Sequence, residues 1–176
     1  MTITLDRFTD AMYVNLIRQI CMCRISTLRP IAFKVGELSN VAEISPMVEE
    51  DMSEFISTVS SAVYRADGAE EIFRVSTKAE EEFRISSLCY STVQLVKGDC
   101  AALHTHTPIT VEVLFRKAAG VYTEKENRDF LKAEKVDLDG WTVINSRHCA
   151  VKKFHPKKVK EWPDRVEYEI SLVTDD

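Results

Sequence analysis

Apolar residues follow a helical period in the first part of the chain and a strand period after it. Leu16, Ile17, Ile20 and Cys21 recur at i, i+3, i+4 spacing, and Asp10 suits the cap of a helix running to about Cys23. A second helix is the clearest element. Ser45 suits its cap, Pro46 its first helical position, and Glu49, Glu50 and Asp51 its early turns, where carboxylates complement the helix dipole. Val48, Met52, Phe55, Ile56, Val59 and Val63 then fall on one face. Thr2 to Leu5 alternates as a short strand does; Arg29-Pro30 reads as an interruption and Ile31 to Val35 as a strand.

From Ile72 the period is two. Ile72 to Ser76, Phe83 to Ile85, Thr92 to Val96, Ala101 to His104 and Ile109 to Phe115 predict strands, punctuated by Lys97-Gly98-Asp99 and Thr107-Pro108. Glu124 to Lys135 is charged, carries Phe130 and Leu131, and reads either as a loop or as a short helix. Thr142 to Ile144, Ala150 to Phe154 and Val166 to Val173 predict further strands. Helices set among antiparallel strand signals make the fold class α+β.

A chain of 176 residues, 45% of them hydrophobic, can build one large domain or two small interlocked ones. The net charge of −5 argues against a protein whose main task is gripping phosphate backbones, and the basic run Lys152 to Lys160 reads as a solvated face. No segment approaches the roughly 20 apolar residues of a membrane helix, and the polar start is no signal peptide, so a soluble cytoplasmic protein is expected. The five cysteines agree. Cys21, Cys89 and Cys100 sit in apolar or strand-like runs, as buried thiols of a reducing compartment do. Cys21 and Cys23 fall one residue short of a CxxC spacing and read as small core residues.

Candidate chemistry is sparse. His104 and His106 would share one face of a strand, half of a metal site that Cys149, His148 or His155 could complete only by long-range contact. The five glycines form no phosphate-cradling pattern, and no serine sits in a nucleophile elbow. No catalytic residue, cofactor or metal is expected.

Several stretches, in order, resemble the alpha subunit of bacterial RNA polymerase and its archaeal and eukaryotic counterparts. Asn15-Leu16-Ile17-Arg18-Gln19-Ile20 is similar to the family's first-helix motif Asn-Ala-Leu-Arg-Arg-Ile. Ile44 to Ile56 resembles Tyr-Ser-Thr-Ile-x-Gly-Val-x-Glu-Asp-Val-x-Glu-Ile-Ile, and Lys117 to Asn127 aligns without a gap to Lys-Gly-Arg-Gly-Tyr-Val-Pro-Ala-Glu-Glu-Asn. Ser146 to Lys153 is similar to Ser-x-Phe-Ser-Pro-Val-Lys-Lys, and Val166 to Asp175 to the strand ending Leu-Glu-Val-Trp-Thr-Asp-Gly.

The resemblance implies two interlocked domains: a dimerisation domain from residues 1–30 and 150–176, and an inserted, mostly antiparallel sheet-and-helix lobe from 31–149 that helps hold a large subunit. It implies a non-catalytic assembly subunit of a multisubunit DNA-dependent RNA polymerase, with the large subunits and a second alpha-like chain as partners. The first helix would pack on that of the second chain, in a homodimer or a heterodimer. Neither a membrane nor sequence-specific nucleic acid is implied as a partner. The implied partner-binding residues are Asn15, Arg18, Gln19, Ile20, Glu49, Glu50, Asp51, Lys152 and Lys153. Departures from the pattern are Gln19 in place of the second arginine, Gly120 alone where the family has Gly-x-Gly, and Asp175-Asp176 where the family continues into a long helix. Such paring-down suits a divergent polymerase of viral or phage type. The alternatives are an alpha mimic that regulates a host polymerase and, more remotely, a small metal enzyme using His104 and His106.

Overall fold

Alternation through Ile72–Ala79 buries Phe73, Val75, Thr77 and Ala79 while their neighbours face solvent, the signature of a strand with one face on a core. A computed structural model describes residues 1–37, 49–80, 82–88, 92–98, 102–104 and 108–174. Its elements are β1 (Thr2–Asp6), α1 (Asp10–Arg24), β2 (Thr27–Glu37), α2 (Glu49–Ser61), β3 (Val63–Ala66), β4 (Ile72–Ala79) and β5 (Glu82–Arg84). A short 3-10 turn (Ile85–Leu88) follows, then β6 (Val93–Lys97), β7 (Ala102–His104), β8 (Ile109–Ala118), β9 (Gly120–Tyr122) and α3 (Glu124–Ala133). The chain closes with β10 (Thr142–Val143), β11 (Ser146–His148), β12 (Val151–Glu161) and β13 (Arg165–Thr174). The protein is α+β, and the pairings among the described strands are antiparallel.

A six-stranded sheet runs β4-β8-β2-β3-β6, with β10 also on β2. One face packs under α2, where Phe55 meets the rings of Phe33 and Phe83 edge-on at 5.7 and 5.0 Å. Val59 beside it is fully buried. Each such side chain taken wholly from water contributes about 1.5–3 kcal/mol. The other face holds Ile31, Ala32, Leu114, Trp141 and Val143 under Leu131 of α3. That helix is real, which settles the reading of Glu124 to Lys135. Thr123 and Glu126 form a reciprocal capping box, so two otherwise unpaired amides at its start are satisfied.

Arg29-Pro30 does not interrupt β2. The strand passes through Pro30 and shifts register against β8 between Pro30 and Ala32, so consecutive Ile31 and Ala32 both join the second core cluster. A bulge leaves one residue outside the ladder, which is how a strand tolerates proline's missing N–H.

A separate three-stranded sheet, β1-β13-β12, joins the two ends of the described chain. Thr2 pairs with Glu169, and the Met1 ammonium donates to the Ile170 carbonyl at 2.9 Å. β12 extends to Glu161, well past the expected end at Phe154, because its second half is a lysine-rich strand that carries no alternation signal. Val63, expected on the second helix, starts β3 instead. β9 and β11, a short pair, carry no strand-like pattern in sequence.

The cysteine reading needs correction at α1: Cys23 is exposed and Cys21 only half-buried. Ser45, Pro46, Val48, Cys89, Cys100 and His106 lie outside the described residues. No described helix is long and apolar enough to cross a membrane.

Candidate protein-interaction face

α1 carries two apolar stripes and only one of them is covered. Val14 and Ile17 pack against Val166, Tyr168 and Ile170 of β13, with Ile3, Leu5 and Phe154 completing the cluster. Of the stripe Leu16, Ile17, Ile20 and Cys21 read from the sequence, Ile17 is the member in this cluster. Leu16 and Ile20 in fact remain 47% and 49% exposed, as are Met12 (61%) and Tyr13 (44%). Met12, Leu16 and Ile20 follow one another at i, i+4, i+8, so they form a continuous ridge along the helix. Phe8 before the helix and Ile25 after it extend the exposed apolar surface at both ends.

The seating of α1 is polar as well as apolar. Thr9 occupies the cap position but makes no side-chain cap bond, and Asp10 is the first helical residue rather than the cap. The Asp10 carboxylate accepts a hydrogen bond from the Tyr168 hydroxyl at 2.5 Å and lies 3.3 Å from the Lys158 ammonium. The Tyr168 hydrogen bond, the Ala11 amide and Lys158 hold the Asp10 carboxyl below its ordinary value, and Asp10 in turn raises Lys158. Burial, with the Asp10 hydrogen bond adding to it, pushes the Tyr168 phenol up. These contacts fix the helix on the sheet and thereby fix which stripe faces outward.

Four of the nine expected partner residues lie on this helix. Asn15, Arg18, Gln19 and Ile20 are all exposed. At 3.6 residues per turn Gln19 borders the Met12–Leu16–Ile20 ridge, with Asn15 and then Arg18 further round on the same flank. Lys152 and Lys153 are exposed at the start of β12, where Lys153 pairs with Val173 of β13. Glu49, Glu50 and Asp51 are the first three residues of α2, on the other sheet. Sequence reasoning missed Met12 and Tyr13. Apolar residues on several sides of a helix hide which stripe the fold will cover.

A second polar cluster lies at the meeting of β2, α3 and β11. His148 is fully buried; its Nδ1 is 3.0 Å from the Thr27 carbonyl and its Nε2 is 2.9 Å from Ser146 Oγ. A carbonyl only accepts, so Nδ1 carries the proton and Nε2 accepts from the serine hydroxyl. Asn127 Nδ2 donates to Ser146 Oγ at 3.0 Å and to the Ile144 carbonyl at 2.8 Å. Burial lowers the His148 pKa, the Thr27 carbonyl opposes this, and the charges of Arg116 and Arg29 add to the lowering. The Ser–His pair resembles a nucleophile and its base, but Asn127, Ser146 and His148 are all buried, so the network braces three elements and presents no nucleophile to solvent. Both His148 nitrogens are engaged, which removes it from the metal set considered with His104. Among the described residues, no three His, Cys, Asp or Glu side chains gather to hold a metal.

Arg116 lies between rings, 4.2 Å from the Tyr122 centroid and 3.7 Å from that of Phe130. It ties β8 to β9 and α3. Compared with known proteins, the chain matches no family model and no curated sequence.

Proposed function

We propose that the chain is a non-catalytic assembly subunit of a multisubunit DNA-dependent RNA polymerase, positioning the large catalytic subunits. The observation that carries this reading is the bare ridge of α1. Four large apolar side chains, each more than two-fifths exposed, stand on a helix whose other stripe is seated. Contiguous exposed apolar surface marks interaction sites, and covering half-exposed side chains of this size contributes on the order of 1 kcal/mol each. The same helix carries Asn15 to Ile20, the stretch that resembles the alpha first-helix motif.

The arrangement of elements supports the reading too. α1 and the terminal strands share one small sheet, while the intervening chain builds a larger sheet with α2 and α3. This suits the interlocked domains expected at 1–30 with 150–176 and at 31–149. On this reading the α1 ridge meets a second alpha-like chain, and the exposed lysines at the start of β12 together with the head of α2 meet the large subunits.

Co-expression with polymerase large subunits encoded in the same genome tests it. The expected outcome is an active complex that holds this chain and loses it on Leu16→Glu. Large subunits that assemble into an active enzyme without the chain would overturn the proposal. Capture of another organism's polymerase instead would favour the mimic.

A further inference from the structure

The chain crosses between the three-stranded and the six-stranded sheet twice. α1 passes into β2 through Ile25 and Ser26, and β11 returns into β12 through Cys149 and Ala150. The two crossings are tied to each other. His148, the last residue of β11, reaches the carbonyl of Thr27, the first residue of β2, at 3.0 Å. Ile25, Ser26, Thr27 and Ala150 also line one cleft of about 230 Å³, so room for water lies beside this bond.

Donation through the buried network runs in one direction. Arg116 Nη1 donates to Asn127 Oδ1 at 3.4 Å, Asn127 Nδ2 to Ser146 Oγ, the Ser146 hydroxyl to His148 Nε2, and His148 Nδ1 to Thr27. A proton arriving at Nε2 turns that nitrogen from acceptor to donor, so it and the Ser146 hydroxyl meet with a hydrogen each. Turning the hydroxyl away does not relieve the clash, because among the described residues Ser146 Oγ has no partner besides Asn127 and His148. The surroundings oppose the charge as well. Arg29 of β2 and Arg116 of β8 both act on the imidazole, Tyr122 of β9 presents its ring at 5.5 Å, and α3 contributes the neutral Asn127 to the same network. The α3 carboxylate Glu126 is taken up by the Thr123 amide and hydroxyl. An imidazolium here would be fully buried, with two cations acting on it and no described carboxylate bonded to it.

We propose that this chain of hydrogen bonds is a proton-operated latch: neutral His148 ties the two crossings together, and His148 that has taken a proton lets them part. Parting frees the three-stranded sheet with α1 to shift against the six-stranded sheet, while each keeps its own core cluster. The latch involves no residue of the α1 ridge and is read on the isolated full-length chain, so it stands or falls independently of the polymerase reading.

Native-state hydrogen exchange of the parent chain at about pH 7.5 and about pH 5.5, corrected for the intrinsic pH dependence, tests it. In an opened joint the imidazole titrates at its ordinary 6.5, so the open population should rise by up to about tenfold over this interval. Protection at residues 146–148 should fall accordingly, with little urea dependence, because opening the joint exposes little surface. Val111 and Val113, fully buried in the six-stranded sheet, should stay better protected than 146–148 at both pH values. In His148→Gln the pH dependence at 146–148 should disappear. Unchanged protection at 146–148 in the parent chain would overturn the proposal. So would protection there equal to that of Val111 and Val113 at both pH values, since global unfolding alone would then release His148. Undiminished pH dependence in His148→Gln would overturn it too. The parent chain alone decides the first two outcomes, so the test survives a His148→Gln variant that fails to fold.

Discussion

Tyr168 donates its phenolic hydrogen to the Asp10 carboxylate at 2.5 Å, linking residues 158 positions apart and fastening the first helix to the strand beneath it. Removing the hydroxyl in Tyr168→Phe should cost about 1 kcal/mol and lower Tm by about 2–4 °C. The acid side of stability should change with it. Asp10 titrates below its ordinary value of 3.8, so it stabilises the fold above that pH and the contribution disappears as pH falls through the lower folded value. Because the Tyr168 bond is the largest cause, acid unfolding of Tyr168→Phe should begin at higher pH than in the parent chain. Circular dichroism across an acid titration checks this.

Neighbouring residues on α1 should behave oppositely. Ile17 packs on the terminal sheet while Leu16 is 47% exposed. Ile17→Glu should unfold or strongly destabilise the small sheet, since it buries an unpaired charge. Leu16→Glu should leave Tm within a degree or two and abolish any self-association. Thermal melts together with light scattering separate the two effects; equal loss of Tm in both variants would show that the two stripes are not distinct.

Buried His148 predicts a second pH effect of defined sign. Its folded pKa lies below 6.5, so between the two values the unfolded chain binds more protons, and stability falls as pH drops below 6.5. Urea midpoints measured from about pH 7.5 down to about pH 5 should decline in the parent chain. In His148→Gln, which keeps one hydrogen-bonding group and cannot titrate, that part of the slope should vanish.

Arg116→Lys should not be conservative. The guanidinium sits 3.7 and 4.2 Å from two ring centroids, a stacking that an ammonium cannot reproduce in plane. A loss of about 1–2 kcal/mol is expected by chemical denaturation.

What could be read from the sequence was whatever a single period dictates. Ile72 to Ser76 and Ile109 to Phe115 alternate because one face of each is buried against the same core, and the structure only lengthens them. The second helix likewise buries Phe55 and Val59 on one face. Reading failed where two environments overlap. α1 has apolar residues on more than one side, and only the arrival of β13 decides that Val14 and Ile17 go inward. The exposed edge strand β12 has no inward period past Phe154 to read, and the Pro30 bulge is invisible without its partner β8. The Ser146–His148–Asn127 network depends on Thr27 and Ile144 carbonyls, which no side-chain pattern announces. Gly120 was marked by its place in a motif; its φ of 110° shows the backbone reason for glycine there.

The pairing of Thr2 with Glu169 has a consequence for the order of folding. A growing chain releases its amino end first, and contacts between sequence-distant strands form late because closing the long loop must precede them. The first helix therefore emerges with both of its apolar stripes bare, and the Val14–Ile17 stripe waits for residues 151–174 before it is sheltered. The larger sheet needs nothing from β1 or α1, so it is free to condense earlier. The small sheet is then the last unit to close during synthesis and the first to open under native conditions, and its amides, including that of Ile170, should exchange with solvent faster than those of Val111 and Val113.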